Sequence, residues 1–456
     1  MNNIADLENI LLKLAKKAVQ QYHDLHSLDI KKNQFTDVDL STGLGLNTTI
    51  DYILELDDYI SKPFSPRYFG LVTGGITPAA FAADWLVSLY DQNLILSTSD
   101  SISTKIELAA VEMLSEVLGL KGYVGKFTTG ATSSNVNGLL CGRQYISELQ
   151  GYNAANDGTK PMKILSAAPH SSIFKAASIV GLGHSSILSI SGERPDQIDL
   201  ELFDSLIAKN PNSIVVITFG EVNTGSLPKL ETVIHVRMMC DKYGCWLHID
   251  GAFGLFSVLV NPTLVEGLLL ADSITGDCHK YLNVPYDCGV FYVKSNLKKY
   301  LIRSLGTTAA YLDSNAGLDT THGQDFTIEN SQRFRALPVF ATLKAYGKIG
   351  YVDLLTRTCE FAKHMALWIQ ASANWEILAD CEFCIVLFRS RKPEHQTQAG
   401  NVALVRSLNA TGKVYFTPTV WMGKPSIRCA VVNWATSIEQ DWETVKSVLS
   451  EIHEEE

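Results

Sequence analysis

Residues 245–254, CWLHIDGAFG, and residues 271–293, ADSITGDCHKYLNVPYDCGVFYV, decide the fold. Each holds a short apolar run, CWLHI or ADSIT, that stops at a small or polar residue and turns. Apolar runs of this length fit strands buried on both faces of a parallel sheet. Chemistry follows directly at their ends: Asp250 closes the first run, and Asp277, His279 and Lys280 follow the second.

Working outward, MKILSAA (162–168), SIVVITF (213–219) and GVFYV (289–293) have the same character, with helical segments between them. This alternation predicts an α/β fold with a mostly parallel central sheet covered by helices on both faces. Upstream, TKIELAAVEMLSEVLGL (104–120) reads as a helix after the Pro- and Gly-bearing stretch SKPFSPRYFGLVTGGITP (61–78). Leu7, Ile10, Leu11, Leu14, Ala15 and Ala18 recur at helical spacing, giving an amphipathic helix over 6–22 that must pack on something, with a partner subunit a reasonable host. The expected organisation is an N-terminal helical arm (1–60), a large cofactor-binding domain (61–300), a mobile active-site loop (301–335), then a connecting helix and a smaller α+β C-terminal domain (336–456). The loop is expected because 301–330 is mostly small, polar and glycine-bearing, with little periodicity.

With 456 residues, 46% of them hydrophobic, the chain can bury a sizeable core. A net charge of −10 argues against a broad surface for nucleic acid, whose backbone is bound by neutralising lysines and arginines. No signal-peptide pattern opens the chain and no stretch reaches the roughly 18 apolar residues a membrane helix needs, so a cytoplasmic protein without a membrane partner is expected. Nine cysteines, an odd number in a long chain, fit reduced thiols. Cys381 and Cys384 form a CxxC in the strand-like run CEFCIVLF, which lacks a second ligand pair and reads as buried structural thiols.

In open parallel sheets ligands bind beyond the carboxyl ends of the strands. Four such ends carry candidate groups here: ILSAA leads to His170, VVITF to GEVNTG, CWLHI to Asp250, and ADSITG to Asp277, His279 and Lys280. A lysine amine and a carboxylate thirty residues apart could serve the two ends of pyridoxal 5'-phosphate, one binding its aldehyde and the other keeping its ring nitrogen protonated. Taken singly, Asp250 also fits a turn cap before Gly251, Lys280 an exposed lysine, and His170 a satisfied histidine at a strand end. Gly130, Ala131, Thr132 and Ser133 precede a helical run, where unpaired N–H groups and the helix dipole favour a phosphate, or else form an ordinary cap. His248 and Asp250 make an HxD pair that also occurs in non-heme metal sites, but no third ligand is evident.

Several of these segments in order resemble the group II pyridoxal-phosphate-dependent amino acid decarboxylases, which include aromatic amino acid, glutamate and histidine decarboxylases. The resemblance runs from about residue 60 to 350 and rests on TTGATSSNVNGLLCGR, PHSSIFKAASIVGLG, WLHIDGAFG, ADSITGDCHKYLNVPYDCG and SQRFRALPVFATLKAYGKIG. It implies the fold-type-I, aspartate aminotransferase-like architecture and a homodimer with the active site at the subunit interface. It implies that Lys280 carries the cofactor, that Asp250 pairs with the ring nitrogen, and that His170 stacks on the ring with Ala252 on the other face. Ala131 and Thr132 would hold the phosphate, helped by His279 and Asp277.

The chain departs from the family pattern at Gly220-Glu221-Val222, at Pro228 and at Asp250-Gly251-Ala252, which marks a divergent branch. The expected proton-donating loop tyrosine does not map: Tyr311 lies early in the loop, while His322 in THGQDF is an acid of suitable ordinary pKa or a solvated histidine. The expected activity is decarboxylation of a small or aromatic L-amino acid to its amine. The rivals are an oxygen-dependent decarboxylation giving an aldehyde, a metal enzyme on His248 and Asp250, and a non-catalytic relative, which intact Lys280 and Asp250 speak against. No residue stands out in the sequence as a partner for a second carboxylate or a cationic side chain of the substrate.

Overall fold

A computed structural model describes residues 4–27, 29–30, 43–94, 101–306 and 323–452. Among these, seven strands form one sheet: β1 (Tyr123–Thr128), β2 (Ile164–Ser166), β3 (Ile187–Ser189), β4 (Ile214–Thr218), β5 (Trp246–Asp250), β6 (Ser273–Asp277) and β7 (Gly289–Lys294). The order across the sheet is β1-β7-β6-β5-β4-β2-β3. Strands β6, β5, β4, β2 and β3 are parallel, while β7 runs antiparallel to both β6 and β1. All of β5 and β6 and nearly all of β4 and β7 are buried, as their apolar runs require.

Two strands escape the pattern seen in the sequence. β1 carries Gly125 and Lys126 within YVGKFT, yet Lys126 is only 5% exposed because it pairs with Glu107, itself 5% exposed, on the helix Ile102–Leu118. β3 is three residues of ILS preceded by two serines. The antiparallel direction of β7 also leaves no mark in its composition.

The helix Ala131–Leu149 crosses the sheet over β5, β6 and β7. It comes close because Gly138 has no side chain: a Cβ there would lie 2.3 Å from the His248 ring. That contact sets the distance between the helix start and the ends of the strands.

The second sheet is antiparallel throughout, with β8 (Trp375–Ile377), β9 (Ile385–Ser390), β10 (Thr417–Trp421) and β11 (Lys424–Ala430) in the order β10-β11-β9-β8. Its core joins Trp375, Phe388 and Ile427 to Phe361 and Met365 of the long helix Ala336–Ala371 and to Trp442 and Val445 of the helix Ile438–Glu451. The long helix is broken at Gly347 (φ 60°, ψ −171°), which the sequence reading treats as continuous. A smaller antiparallel unit beside a mostly parallel sheet matches the architecture expected from the sequence.

Near the N-terminus, the helix Ile4–His23 turns Leu11, Leu12 and Val19 outward. Of the expected loop, residues 301–305 end the helix Lys298–Leu305 and Gly323–Phe326 form a 3-10 turn, while 307–322, including Tyr311 and His322, lie outside the described residues. Among the described residues, no helix is long and apolar enough to cross a membrane.

Candidate active site

The carboxyl ends of β2, β4, β5 and β6 open into a cavity of about 770 Å³, whose far side is closed by Thr419 and Arg428 of β10 and β11. The residues expected at the site, Gly130, Ala131, Thr132, Ser133, His170, Asp250, Ala252, Asp277, His279 and Lys280, all line it. Parallel strands explain this meeting: Thr218 and Asp250 close β4 and β5 side by side, and β6, paired to Asp250 at Thr275, runs two residues further and brings Asp277 to the same end of the sheet.

Asp250 is 3% exposed. Its Oδ2 accepts from Asn135 Nδ2 at 3.0 Å and its Oδ1 from the Ala252 N–H at 3.2 Å. Burial pushes its pKa up, and nearby His170 and Lys280 work against that rise. Behind it, Asn135 Oδ1 lies 3.0 Å from His248 Nε2, and His248 Nδ1 lies 2.8 Å from Ser273 Oγ. Asn135 Nδ2 also reaches Ser172 Oγ at 3.1 Å, and Ser172 contacts His170 Nδ1 at 2.8 Å. One asparagine therefore fixes Asp250 and, through Ser172, the ring of His170.

At the other end, Asp277 Oδ1 accepts from the Ala131 N–H at 2.6 Å, at the start of the helix Ala131–Leu149. Its Oδ2 lies 3.1 Å from Lys280 Nζ and 3.5 Å from His279 Nε2. Although burial alone would raise its pKa, Lys280 and His279 outweigh it and hold the carboxyl at about 2. His279 Nδ1 accepts the Cys288 N–H at 3.2 Å, which places the ring proton on Nε2.

His170 caps the helix Ser171–Ile179, its Nδ1 accepting the Ser172 N–H at 3.2 Å. Partial burial lowers its pKa, and Asp250 works against that fall. The ring is thus satisfied by Ser172, as the plainer reading of the sequence has it, and it also lines the cavity.

Several residues that line or support the cavity were missed in the sequence. Arg428 is 9% exposed, donates from Nη1 to the Val222 carbonyl at 3.1 Å, and keeps its buried Nε without a hydrogen-bond partner. It brings to the cavity a cation that the sequence did not single out. Glu221 is 5% exposed and accepts the N–H groups of Asn223 and Thr224, both at 2.8 Å, so its charge is spent on shaping its own turn. Asn223 in turn accepts from Thr419 Oγ1 at 2.7 Å. The chain therefore uses its departure at 220–222 to build the seam between its two sheets. The only sequence signal was that departure itself; Asn135 and Arg428 carried none.

The metal reading finds no support. His248 is fully buried, both its nitrogens are engaged, and burial pushes its pKa down to about 3. Among the described residues, no group of three histidines, cysteines or acids could hold a metal ion. All nine cysteines are free thiols, and burial pushes Cys381 up to about 12, opposite to what a redox thiolate needs.

Residues 48–391 match the family model described as "Pyridoxal-dependent decarboxylase conserved domain". L-2,4-diaminobutyrate decarboxylase of Acinetobacter baumannii is 26% identical over 332 residues, which span 67% of this chain and 64% of that relative. The chain thus covers a little under two thirds of that relative's length. Aromatic-L-amino-acid decarboxylase of Bacillus atrophaeus is 23% identical over 428 residues, 90% of this chain and 86% of the relative. In fold, the chain is similar to the Oryza sativa TDC crystal structure with PLP and tryptamine, with a TM-score of 0.87 at 21% identity, covering 99% of this chain and 98% of that one.

Proposed function

Because the chain belongs to the pyridoxal-dependent decarboxylase family, we propose that its cavity removes the α-carboxylate of an L-amino acid and releases the amine. One observation carries this reading: the Lys280 amine and the buried Asp250 carboxylate line a single cavity from neighbouring strand ends. That donor set suits pyridoxal phosphate. Lys280 would hold the aldehyde and Asp250 the ring nitrogen, with His170 and Ala252 as walls for the ring and Gly130–Ser133 at the phosphate end. When bound, the cofactor supplies a cationic ring that accepts the electron pair left by the departing carboxylate.

The protein's own part is placement and charge. Asp250, held by Asn135 and the Ala252 N–H, keeps a negative charge where the ring nitrogen needs a proton. Arg428 is the cation on hand to orient the amino acid's carboxylate. Leu71, Val72, Val222 and Ile328 make the neighbouring walls apolar, and Glu221 is already committed to its turn. These walls favour an aromatic or small apolar side chain over one carrying an amine, whose burial would lack a counter-ion.

The active unit is inferred to be a homodimer, because Trp85, Leu89, Ile102 and Leu108 leave an apolar surface on two helices, 40–73% exposed. Light scattering is expected to give twice the chain mass of 50.1 kDa; a monomer that turns over substrate would remove the dimer. A panel of amino acids, with carbon dioxide, amine and oxygen followed together, tests the reaction. The expected result is one amine per carbon dioxide without oxygen uptake, and a kcat/KM for 2,4-diaminobutyrate at least about tenfold below that for an aromatic amino acid. Carbon dioxide matched by peroxide, with no amine, would replace this reading with the oxygen-dependent one.

A further inference from the structure

We propose that Asp277 is a built-in stand-in for the cofactor's phosphate, so that loading the site exchanges a protein carboxylate for a phosphate at the start of the helix Ala131–Leu149. This rests on the cofactor reading above. The geometry is specific to one side chain: its Oδ1 takes the Ala131 N–H at 2.6 Å, and its Oδ2 faces the Lys280 amine at 3.1 Å. A single anion therefore ties together the N–H meant for the phosphate and the amine meant for the aldehyde.

Charge makes the exchange costly. Asp277 is 4% exposed and ionised, and the positive charge beside it is Lys280. His279 is 3.5 Å away, its Nδ1 accepting the Cys288 N–H and its Nε2 facing Asp277. Among the described residues, His170, Tyr286 and Cys278 are the other titratable groups that feel the charge of Asp277. A phosphate brought to the Ala131 N–H adds further negative charge beside the Asp277 carboxylate, and buried like charges a few ångströms apart repel strongly. The loaded site relieves this by taking up a proton between the phosphate and Asp277. The phosphate end is consequently held more weakly as pH rises.

The test compares pyridoxal phosphate with pyridoxal, which attaches through the same amine but has no phosphate. The ratio of their dissociation constants, read from the absorption band of the bound aldehyde, isolates the phosphate end from the chemistry of Lys280. In Asp277→Asn, which keeps an oxygen for the Ala131 N–H and loses the charge, the preference for pyridoxal phosphate is expected to rise about tenfold or more. In the native protein that preference is expected to fall between pH 6 and pH 8 more steeply than in the variant, which shares only the phosphate's own ionisation. An unchanged or reduced preference in Asp277→Asn, or equal pH slopes, overturns the proposal. If the variant does not fold, a native preference that stays level from pH 6 to pH 8 overturns it by itself. Absence of the band with either compound in the native protein would instead remove the cofactor reading.

Discussion

Lys280→Ala is expected to leave a folded protein that no longer retains a pyridoxyl group after borohydride treatment and whose turnover falls by about three orders of magnitude or more. The size of the effect follows from what the amine does. In the proposed reaction it holds the aldehyde at one position in the cavity, and without it cofactor and substrate must find the same geometry from solution. Lys280→Arg refines the test, because it keeps a cation beside Asp277 and still cannot attach to the aldehyde. If turnover is recovered in Lys280→Arg, the residue acts through charge alone and the covalent role fails. Peptide mapping of the reduced native protein should place the pyridoxyl group on Lys280, and a tag on any other lysine would move the site.

The second large effect is expected at Asp250. Asp250→Asn preserves size but removes the negative charge, and kcat should fall about 10²- to 10³-fold, the usual cost of one pre-aimed electrostatic group. KM should change much less, because the apolar walls and Arg428 are untouched. Pyridoxal phosphate should still bind to Lys280 in this variant, so retained colour with lost turnover is the signature. A variant that keeps native kcat would show that the ring does not depend on a carboxylate at this position. The buried chain of Asn135, His248 and Ser273 behind Asp250 is what keeps the charge aimed, and none of these three needs to touch the substrate.

What could be read from the sequence follows from how burial marks composition. Strands buried on both faces show as unbroken apolar runs, so SIVVITF, CWLHI and ADSIT were legible, and with them the positions of Asp250, Asp277 and Lys280 at the same end of the sheet. YVGKFT was not, because a buried lysine satisfied by Glu107 looks like a surface lysine until its partner is known. The direction of β7 depends on the length and path of its connection, and the break at Gly347 on one backbone conformation. Arg428 meets Val222 across more than two hundred positions of chain, and only tertiary structure brings it to the cavity. Asn135 sat within a stretch that reads as a helix cap, and its work for Asp250 appears only when the helix is laid on the sheet at the distance Gly138 allows.

The turn at 221–224 has a further consequence. Val222 and Asn223 face the cavity, yet the same two residues receive Arg428 and Thr419 from the antiparallel sheet. The shape of the cavity wall and the seating of that sheet are therefore written in the same few atoms, and neither can be tuned alone. A branch that drifts toward a new substrate at this turn is expected to carry compensating replacements on β10 or β11, and a transplant of the turn into a relative should loosen the host unless those strands travel with it.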